Sequence, residues 1–134
     1  MKRIHHMLES VAQSLNCECQ HFQHHSRLSV GHGTRHQDIE VRVVDDDYEL
    51  TSVVLPTSDV TATADGWRGL ARLAWQRNAD SDIVTFTFDD RDRLVGRVRH
   101  PATTMDIEEM SLYVQSLVRE CDRFEYLLSG LDRY

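Results

Sequence analysis

The sequence predicts an α+β fold in the order αβββαββα, with a largely antiparallel five-stranded sheet packed against helices. Three observations lead to this class. The C-terminal segment carries an apolar stripe at helical spacing for about seven turns. Two segments, around 39–55 and 84–100, alternate apolar and polar residues on both sides of an acidic turn, as antiparallel hairpins do. A further helical segment lies between these hairpins, so it forms a crossover.

The first half of the chain predicts one helix and three strands. A weak strand at 27–30 follows a polar, histidine-rich segment. The strand at 39–43 turns through three consecutive aspartates at 45–47 into a third strand, which ends before Pro56. The helix precedes these strands and spans residues 3–15, with apolar residues at helical spacing at Ile4, Met7, Leu8, Val11 and Leu15.

The second half predicts two helices and a hairpin. Residues 57–66 are rich in Ser, Thr, Asp and Gly and predict a loop. The next helix runs over 67–76, and Asn78 suits its C-terminal end. The hairpin pairs 84–88 with 94–100 across an Asp-rich turn. The apolar stripe of the 67–76 helix consists of Trp67, Leu70, Ala71, Ala74 and Trp75.

The last helix begins with a capping pattern. Asp106 predicts the N-cap, and Glu109 stands three residues later, as in a capping box. The stripe that follows keeps one face apolar, so the helix must lie along a flat apolar surface, for which the sheet is the candidate. Its members are Ile107, Met110, Val114, Leu117, Cys121, Phe124, Leu128 and Leu131.

Length and composition predict one domain over residues 1–134, because this size is common for a single core. No apolar run approaches the ~20 residues that a membrane-spanning helix needs, and the start of the chain lacks the pattern of a signal peptide. We therefore expect a cytoplasmic protein without membrane association. The odd number of cysteines, three, predicts reduced thiols instead of a disulfide framework.

The net charge of −7 is unevenly distributed. Residues 1–37 hold four basic and two acidic side chains together with seven of the eight histidines, whereas residues 38–134 hold 11 arginines against 20 acids. Residues 38–134 form an acidic body, which is a poor surface for binding phosphates because nucleic-acid binding needs clustered cations. The sequence therefore argues against a nucleic-acid partner.

Three stretches resemble the class I type III secretion chaperones and the related YbjN proteins. They are the middle helix at Leu70–Asn78, the hairpin at Thr85–Val95, and the closing helix with its acidic start at Asp106–Met110 and its aromatic and leucine end at Glu120–Leu128. By element order the likeness covers most of residues 4–131. By pattern it covers about 40 residues, and none of the motifs is catalytic.

The resemblance implies a non-catalytic protein that binds an extended segment of a partner protein, often as a homodimer. A sheet offers edges for strand addition and apolar side chains that receive alternate residues of the added strand. The acidic body would favour a partner with basic flanks. The candidate peptide-binding residues on the sheet are Leu28, Val30, Val41, Val43, Phe86 and Phe88.

Trp67 and Trp75 lie eight residues apart, so both can face one side of the middle helix. Packing in the core is one interpretation. The alternative is a dimer interface, where aromatic residues are enriched, formed by Trp67, Leu70, Ala71 and Trp75.

A Cys/His-rich segment is the sharpest local feature of the sequence. Thiolates and imidazoles are ligands that zinc prefers, and the weak candidates for metal ligands are Cys17, Cys19, His21 and His25. The Cys-x-Cys spacing is not that of a zinc knuckle, and no Cys-x₂-Cys pair follows. The alternative is an exposed polar edge strand whose histidines titrate near neutral pH. We predict no metal and no cofactor.

No motif supports catalysis. The chain has neither a Gly-x-Ser-x-Gly elbow nor a glycine-rich phosphate loop, and the aspartate runs at 45–47 and 89–92 lack the offsets of a calcium loop. Three hypotheses remain: a peptide- or protein-binding module, which we favour over the others, a metal-dependent protein, and a dimeric regulatory or structural subunit. We do not expect an enzyme.

Overall fold

A computed structural model describes residues 2–32, 35–62 and 66–131 of the chain. The helices are α1 (Lys2–Leu15), α2 (Thr57–Ala62), α3 (Gly66–Asp80) and α4 (Ile107–Leu131), with a 3-10 turn at Ala102–Thr104. The strands are β1 (Glu18–His21), β2 (Ser26–His32), β3 (Arg35–Val44), β4 (Asp47–Leu55), β5 (Thr85–Phe88) and β6 (Leu94–Pro101).

The strands form one antiparallel sheet in the order β1-β2-β3-β4-β6-β5. The α+β class and the antiparallel sheet are confirmed, but the sheet has six strands instead of five. The additional strand is β1, which pairs with β2 from Glu18↔Ser29 to His21↔Ser26. Its polar sequence, Glu-Cys-Gln-His, lacks the apolar alternation by which strands are recognised, because β1 lies at the edge of the sheet.

Helix α4 lies along the sheet, as its apolar stripe predicts. The amide of Glu109 donates to Asp106 Oδ1 at 2.7 Å, so the predicted N-cap is confirmed. Phe124 is buried and packs edge-to-face on Phe86 of β5, with ring centroids 4.8 Å apart. Cys121 packs against Gly96 of β6, where the absence of a side chain lets the helix approach the strand closely.

Helix α1 packs beside α4 on the same face of the sheet. Its buried side chains are Ile4, Met7, Leu8, Val11 and Ala12. Arg3 fixes the first turn of the helix, since its guanidinium donates to the carbonyls of Ala102 at 2.8 Å and Met105 at 2.7 Å. The start of the chain is thereby attached to the connection between β6 and α4.

The region between the two hairpins is more helical than expected. Residues 57–62, which we predicted as part of a loop, form α2. Helix α3 continues to Asp80, four residues beyond the predicted end at Gln76, so Asn78 lies inside the helix and does not end it. The segment 63–65 of the predicted loop lies outside the described residues.

Both acidic runs form turns, as predicted. Asp45 and Asp92 have positive φ values of 55° and 58°, which Asp tolerates better than most residues. Asp89 accepts hydrogen bonds from the amides of Arg91 and Arg93 and from the Arg93 guanidinium. Partial burial raises the pKa of Asp89, but these hydrogen bonds outweigh it and the net pKa is lowered.

Within the described ranges, no helix combines the length and the apolar character needed to cross a membrane.

Candidate functional site

The face of the sheet under α1 and α4 contains most of the predicted peptide-binding side chains. Leu28, Val30, Val41 and Phe86 are buried in the core, and Phe88 is partly buried against it. Val43 has 48% of its surface exposed. A peptide would reach the four buried side chains only by displacing a helix, so Val43 and Phe88 are the accessible members of the predicted set.

The opposite face of the sheet is polar. Arg27 donates to Glu40 at 2.6 Å, Arg42 to Glu49 at 2.8 Å, and Arg99 to Asp47 at 2.7 Å. Each pair joins neighbouring strands. The backbone register continues one such row through Gln20, Arg27, Glu40, Thr51, Arg97 and Thr85 across all six strands. Surface ion pairs contribute little stability each. The apolar members of this face, Val53 and its partner Val95, lie toward β6, and Val95 is buried.

The first edge of the sheet is β1. The amide of Phe22 donates to the carbonyl of His25 at 2.8 Å and closes the β1–β2 hairpin. Inward and outward backbone groups alternate along an antiparallel strand. The amides and carbonyls of Gln20 and Glu18 therefore point toward β2, whereas those of Cys19 and His21 point away from the sheet. This edge carries a short row of outward-facing donors and acceptors.

The second edge, β5, is occupied by a side chain. The amide of Phe86 donates to Asn78 Oδ1 at 2.6 Å, and Asn78 Nδ2 donates to the carbonyl of Phe86 at 2.9 Å. The primary amide of Asn78 thus makes both hydrogen bonds that a neighbouring strand would make to Phe86. Helix α3 holds this amide in place, so β5 is protected from strand addition at its centre.

Helix α3 presents part of the predicted dimer interface. Trp75 is 72% exposed, which is unusual for so large an apolar side chain. Ala71, one turn earlier, is partly buried, and Leu70 is in the core. The side chain of Trp67 lies outside the described part of the chain.

The Cys/His segment divides between two locations. His21 Nδ1 is 2.7 Å from Ser26 Oγ, while its Nε2 is 3.2 Å from Glu9 Oε1 and 3.8 Å from Cys19 Sγ. His25 instead faces Glu40 at 3.0 Å, because residues 22–25 form a turn. His21 and His25, two of the candidate metal ligands, are therefore separated. Among the described residues, no group of three or more His, Cys, Asp or Glu side chains is arranged to hold a metal ion.

The thiols differ in their surroundings. Burial raises the pKa of Cys121 to about 12, so this thiol stays protonated and unreactive at neutral pH. Burial also raises the pKa of Cys17, and that of Cys19 is raised by burial together with the nearby Glu9 and Cys17. These environments favour neutral thiols over reactive thiolates.

Sequence reasoning missed the β1 edge and the role of Asn78. A two-residue hairpin is usually recognised by Asn-Gly or Asp-Gly, which supply positive φ. Here the loop residues are Gln23 and His24, and neither has positive φ. For Asn78, the available signal was a polar residue placed shortly before a strand. That signal also fits a helix end, which is how we interpreted it.

Comparison with known proteins identifies this architecture. No family model matches the sequence, and no curated protein matches it. Among solved structures, the ExsC–ExsE complex contains a chain with a TM-score of 0.68 at 15% identity, covering 95% of this chain and 94% of that one. The type III secretion chaperone SycH of Yersinia pestis, solved with a stable fragment of YscM2, has a TM-score of 0.58 at 11% identity, with coverages of 87% and 95%.

YbjN of E. coli is also similar, with a TM-score of 0.62 at 15% identity and coverages of 92% and 88%. The chain has the secretion-chaperone and YbjN fold. This confirms the fold that the three sequence stretches predicted. Identities of 11–15% establish shared architecture, so function has to be argued from this chain's own residues.

Proposed function

We propose that this protein is a non-catalytic, chaperone-like module that binds an extended segment of a partner protein by strand addition at β1. The observation that carries the proposal is the outward-facing backbone of Cys19 and His21 at one edge of the sheet. Main-chain hydrogen bonds to these groups would supply affinity without requiring one fixed partner sequence. Such binding is stoichiometric and needs no catalytic group.

The surroundings of β1 suit an added strand. Successive side chains of the added strand would point to opposite faces. The side chains that point to the face covered by α1 and α4 would contact Cys19 and Leu15, which are partly buried against the core. Those on the other side would meet Glu18 and Gln20, which are exposed. The added strand would therefore carry alternating apolar and polar residues.

Two further observations favour this edge and this kind of partner. Asn78 occupies the amide and the carbonyl of Phe86 at the centre of β5, so these two groups are not available to an added strand. Two structures with this fold, SycH and ExsC, were solved in complex with other proteins. The acidic body of the chain favours a partner with basic flanks and disfavours nucleic acid.

Removal of one outward-facing amide tests strand addition at β1. Cys19→Pro deletes the N–H that would pair with the partner and leaves the β1–β2 hydrogen bonds in place, because proline is tolerated where an edge N–H faces solvent. The partner segment would first be identified by pull-down from the source cell and mapped by protection from proteolysis. We expect Cys19→Pro to weaken its binding roughly 5- to 30-fold, which corresponds to the loss of about 1–2 kcal/mol.

The matched control is Cys19→Ala, which keeps the backbone N–H and removes the sulfur. It should bind nearly as tightly as the unaltered chain. Equal affinity of both variants for the mapped segment, measured by calorimetry on folded protein, would contradict binding at β1. Protection of a folded partner surface in place of an extended segment would contradict the proposed function itself.

We also propose that the chain forms a homodimer through α3, because Trp75 is exposed next to Ala71 on that helix. Trp75→Glu places a charge at the centre of this surface. We expect a folded monomer at half the mass of the unaltered protein, measured by light scattering. Gln76→Glu adds the same charge at a neighbouring exposed position and should leave the dimer intact. A monomeric unaltered protein, or a dimeric Trp75→Glu variant, would exclude this interface.

A further inference from the structure

A groove lies beside the turn of the β1–β2 hairpin, between the first turn of α1 and the end of β3. Its volume is about 200 Å³. This is smaller than the roughly 300–1,000 Å³ of pockets that enclose small-molecule ligands. The groove is therefore of a size to hold one or two side chains of a peptide.

The floor of the groove is aliphatic and formed by Ile4, Val41 and Val43. Ile4 and Val41 are buried in the core, so they fix the shape of the floor. Val43 belongs to the same floor but leaves 48% of its surface in water. Burying this exposed surface under an aliphatic side chain would be favourable, because it removes apolar surface from water.

The rim carries nitrogen donors. Of the residues that the structure describes, His5, His24 and Arg42 line it together with Gln23 and His25, and none of those that line it is a carboxylate. This is notable in a chain with 22 acids and 15 basic residues. Two of these rim groups already have acidic partners: His25 faces Glu40 at 3.0 Å, and Arg42 donates to Glu49 at 2.8 Å, which leaves the imidazoles of His5 and His24 for a ligand. Imidazole donors over an aliphatic floor are complementary to a carboxylate attached to an aliphatic neighbour.

The groove is continuous with the β1 edge. His5 lines the groove and also stacks on His21 of β1, with ring centroids 4.0 Å apart. A peptide paired along β1 that continues past His21 would therefore reach the groove. The local chemistry here is opposite to that of residues 38–134, where acids outnumber arginines.

We propose that this groove selects partner segments in which an aliphatic residue lies next to a carboxylate, either an Asp or Glu side chain or the free C-terminus of the chain. The aliphatic group packs on Val43, and the carboxylate accepts from His24 and His5. This inference rests on the proposed binding of an extended segment and specifies the chemistry of its partner. It assigns the groove a role in specificity, separate from the backbone pairing at β1.

Short peptides test the groove directly. The probes are acetyl-Val-Glu-Leu-amide, acetyl-Val-Gln-Leu-amide and acetyl-Val-Gln-Leu with a free carboxylate, titrated into the full chain and followed by NMR of methyl and imidazole signals. We expect the two acidic peptides to bind roughly five- to tenfold more tightly than the neutral amide. Their shifts should concentrate on Ile4, Val41 and Val43. The ratio of the dissociation constants of the two acidic peptides shows whether the groove prefers a side-chain carboxylate or a C-terminal carboxylate.

The variant His24→Gln should reduce the preference for the acidic peptides to about twofold or less, because it removes an exposed donor from the rim. His36→Gln is the matched control, since His36 is an exposed histidine of β3 that does not line the groove. Val43→Ser should weaken the binding of all three peptides by a similar factor. Equal binding of the acidic and neutral peptides, or shifts that leave the floor methyl groups unchanged, would overturn the inference.

The outcomes also separate this inference from the proposed function. A partner segment whose binding is weakened by Cys19→Pro but not by His24→Gln would leave strand addition intact and reject the groove. Acid-selective peptide binding in the groove, without any extended partner segment protected along β1, would reject strand addition and keep the groove.

Discussion

Phe124→Ala is expected to destabilise the protein by about 3–5 kcal/mol, the largest effect of any single substitution considered. Phe124 is buried where α4 crosses the β5 end of the sheet. Its ring packs edge-to-face on Phe86 at 4.8 Å, and the guanidinium of Arg77 from α3 lies 5.6 Å from the ring centroid. Truncation would remove contacts among α4, β5 and α3 at once and leave a cavity that these elements cannot all move to fill.

The measurement is denaturant unfolding followed by circular dichroism. The matched control is Tyr126→Ala, an aromatic truncation on the same helix at a position 68% exposed, which we expect to cost less than about 1 kcal/mol. If Phe124→Ala lost no more stability than Tyr126→Ala, the packing of α4 on β5 described here would be wrong.

Gly96→Ala should also be strongly destabilising, by about 1–3 kcal/mol, because the new methyl group would overlap an existing atom. A Cβ at this position would lie 2.6 Å from Cys121 Sγ, 3.2 Å from Val84 Cγ1 and 3.3 Å from Leu117 Cδ2. The Cys121 sulfur is bonded directly to Cβ, which is attached to the backbone of α4, and the side chain is fully buried. The sulfur therefore has little freedom to move. The clash would instead push α4 away from β6.

A double-mutant cycle isolates this contact. Cys121→Ala removes the sulfur, so Gly96→Ala should cost less in that background, with a coupling free energy of about 0.5–3 kcal/mol. The double variant would then be more stable than the sum of the losses in unfolding free energy of the two single variants predicts. Additivity within about 0.5 kcal/mol, measured by the same unfolding experiment, would show that the sulfur does not limit the approach of the helix.

The parts of the fold that could be predicted are those with strong periodicity. The stripe from Met110 to Leu128 identified α4, and the Asp106 cap identified its start, because a long amphipathic helix is specified by its own residues. The hairpins were found from alternation and Asp-rich turns. Strand β1 was missed because an edge strand with partly exposed residues on both faces needs no apolar alternation.

The candidate site was harder to predict for a physical reason. Alternation shows that Leu28 and Val30 share a face, but it does not show whether a helix or water covers that face. Helices α1 and α4 cover it, so these residues serve the core. Which strand lies at the edge likewise depends on the strand order, and the exchange of β5 and β6 places β5 at the end opposite β1. Neither fact is contained in local sequence patterns.

The two hydrogen bonds from Asn78 to Phe86 have a consequence for assembly. Polymers that grow by strand addition need two open sheet edges per molecule, because each molecule must pair with one neighbour at each edge. Here one edge is already terminated by an amide from the chain itself. Strand addition through β1 would therefore join at most two sheets, and it would not by itself extend one sheet from molecule to molecule into a fibre.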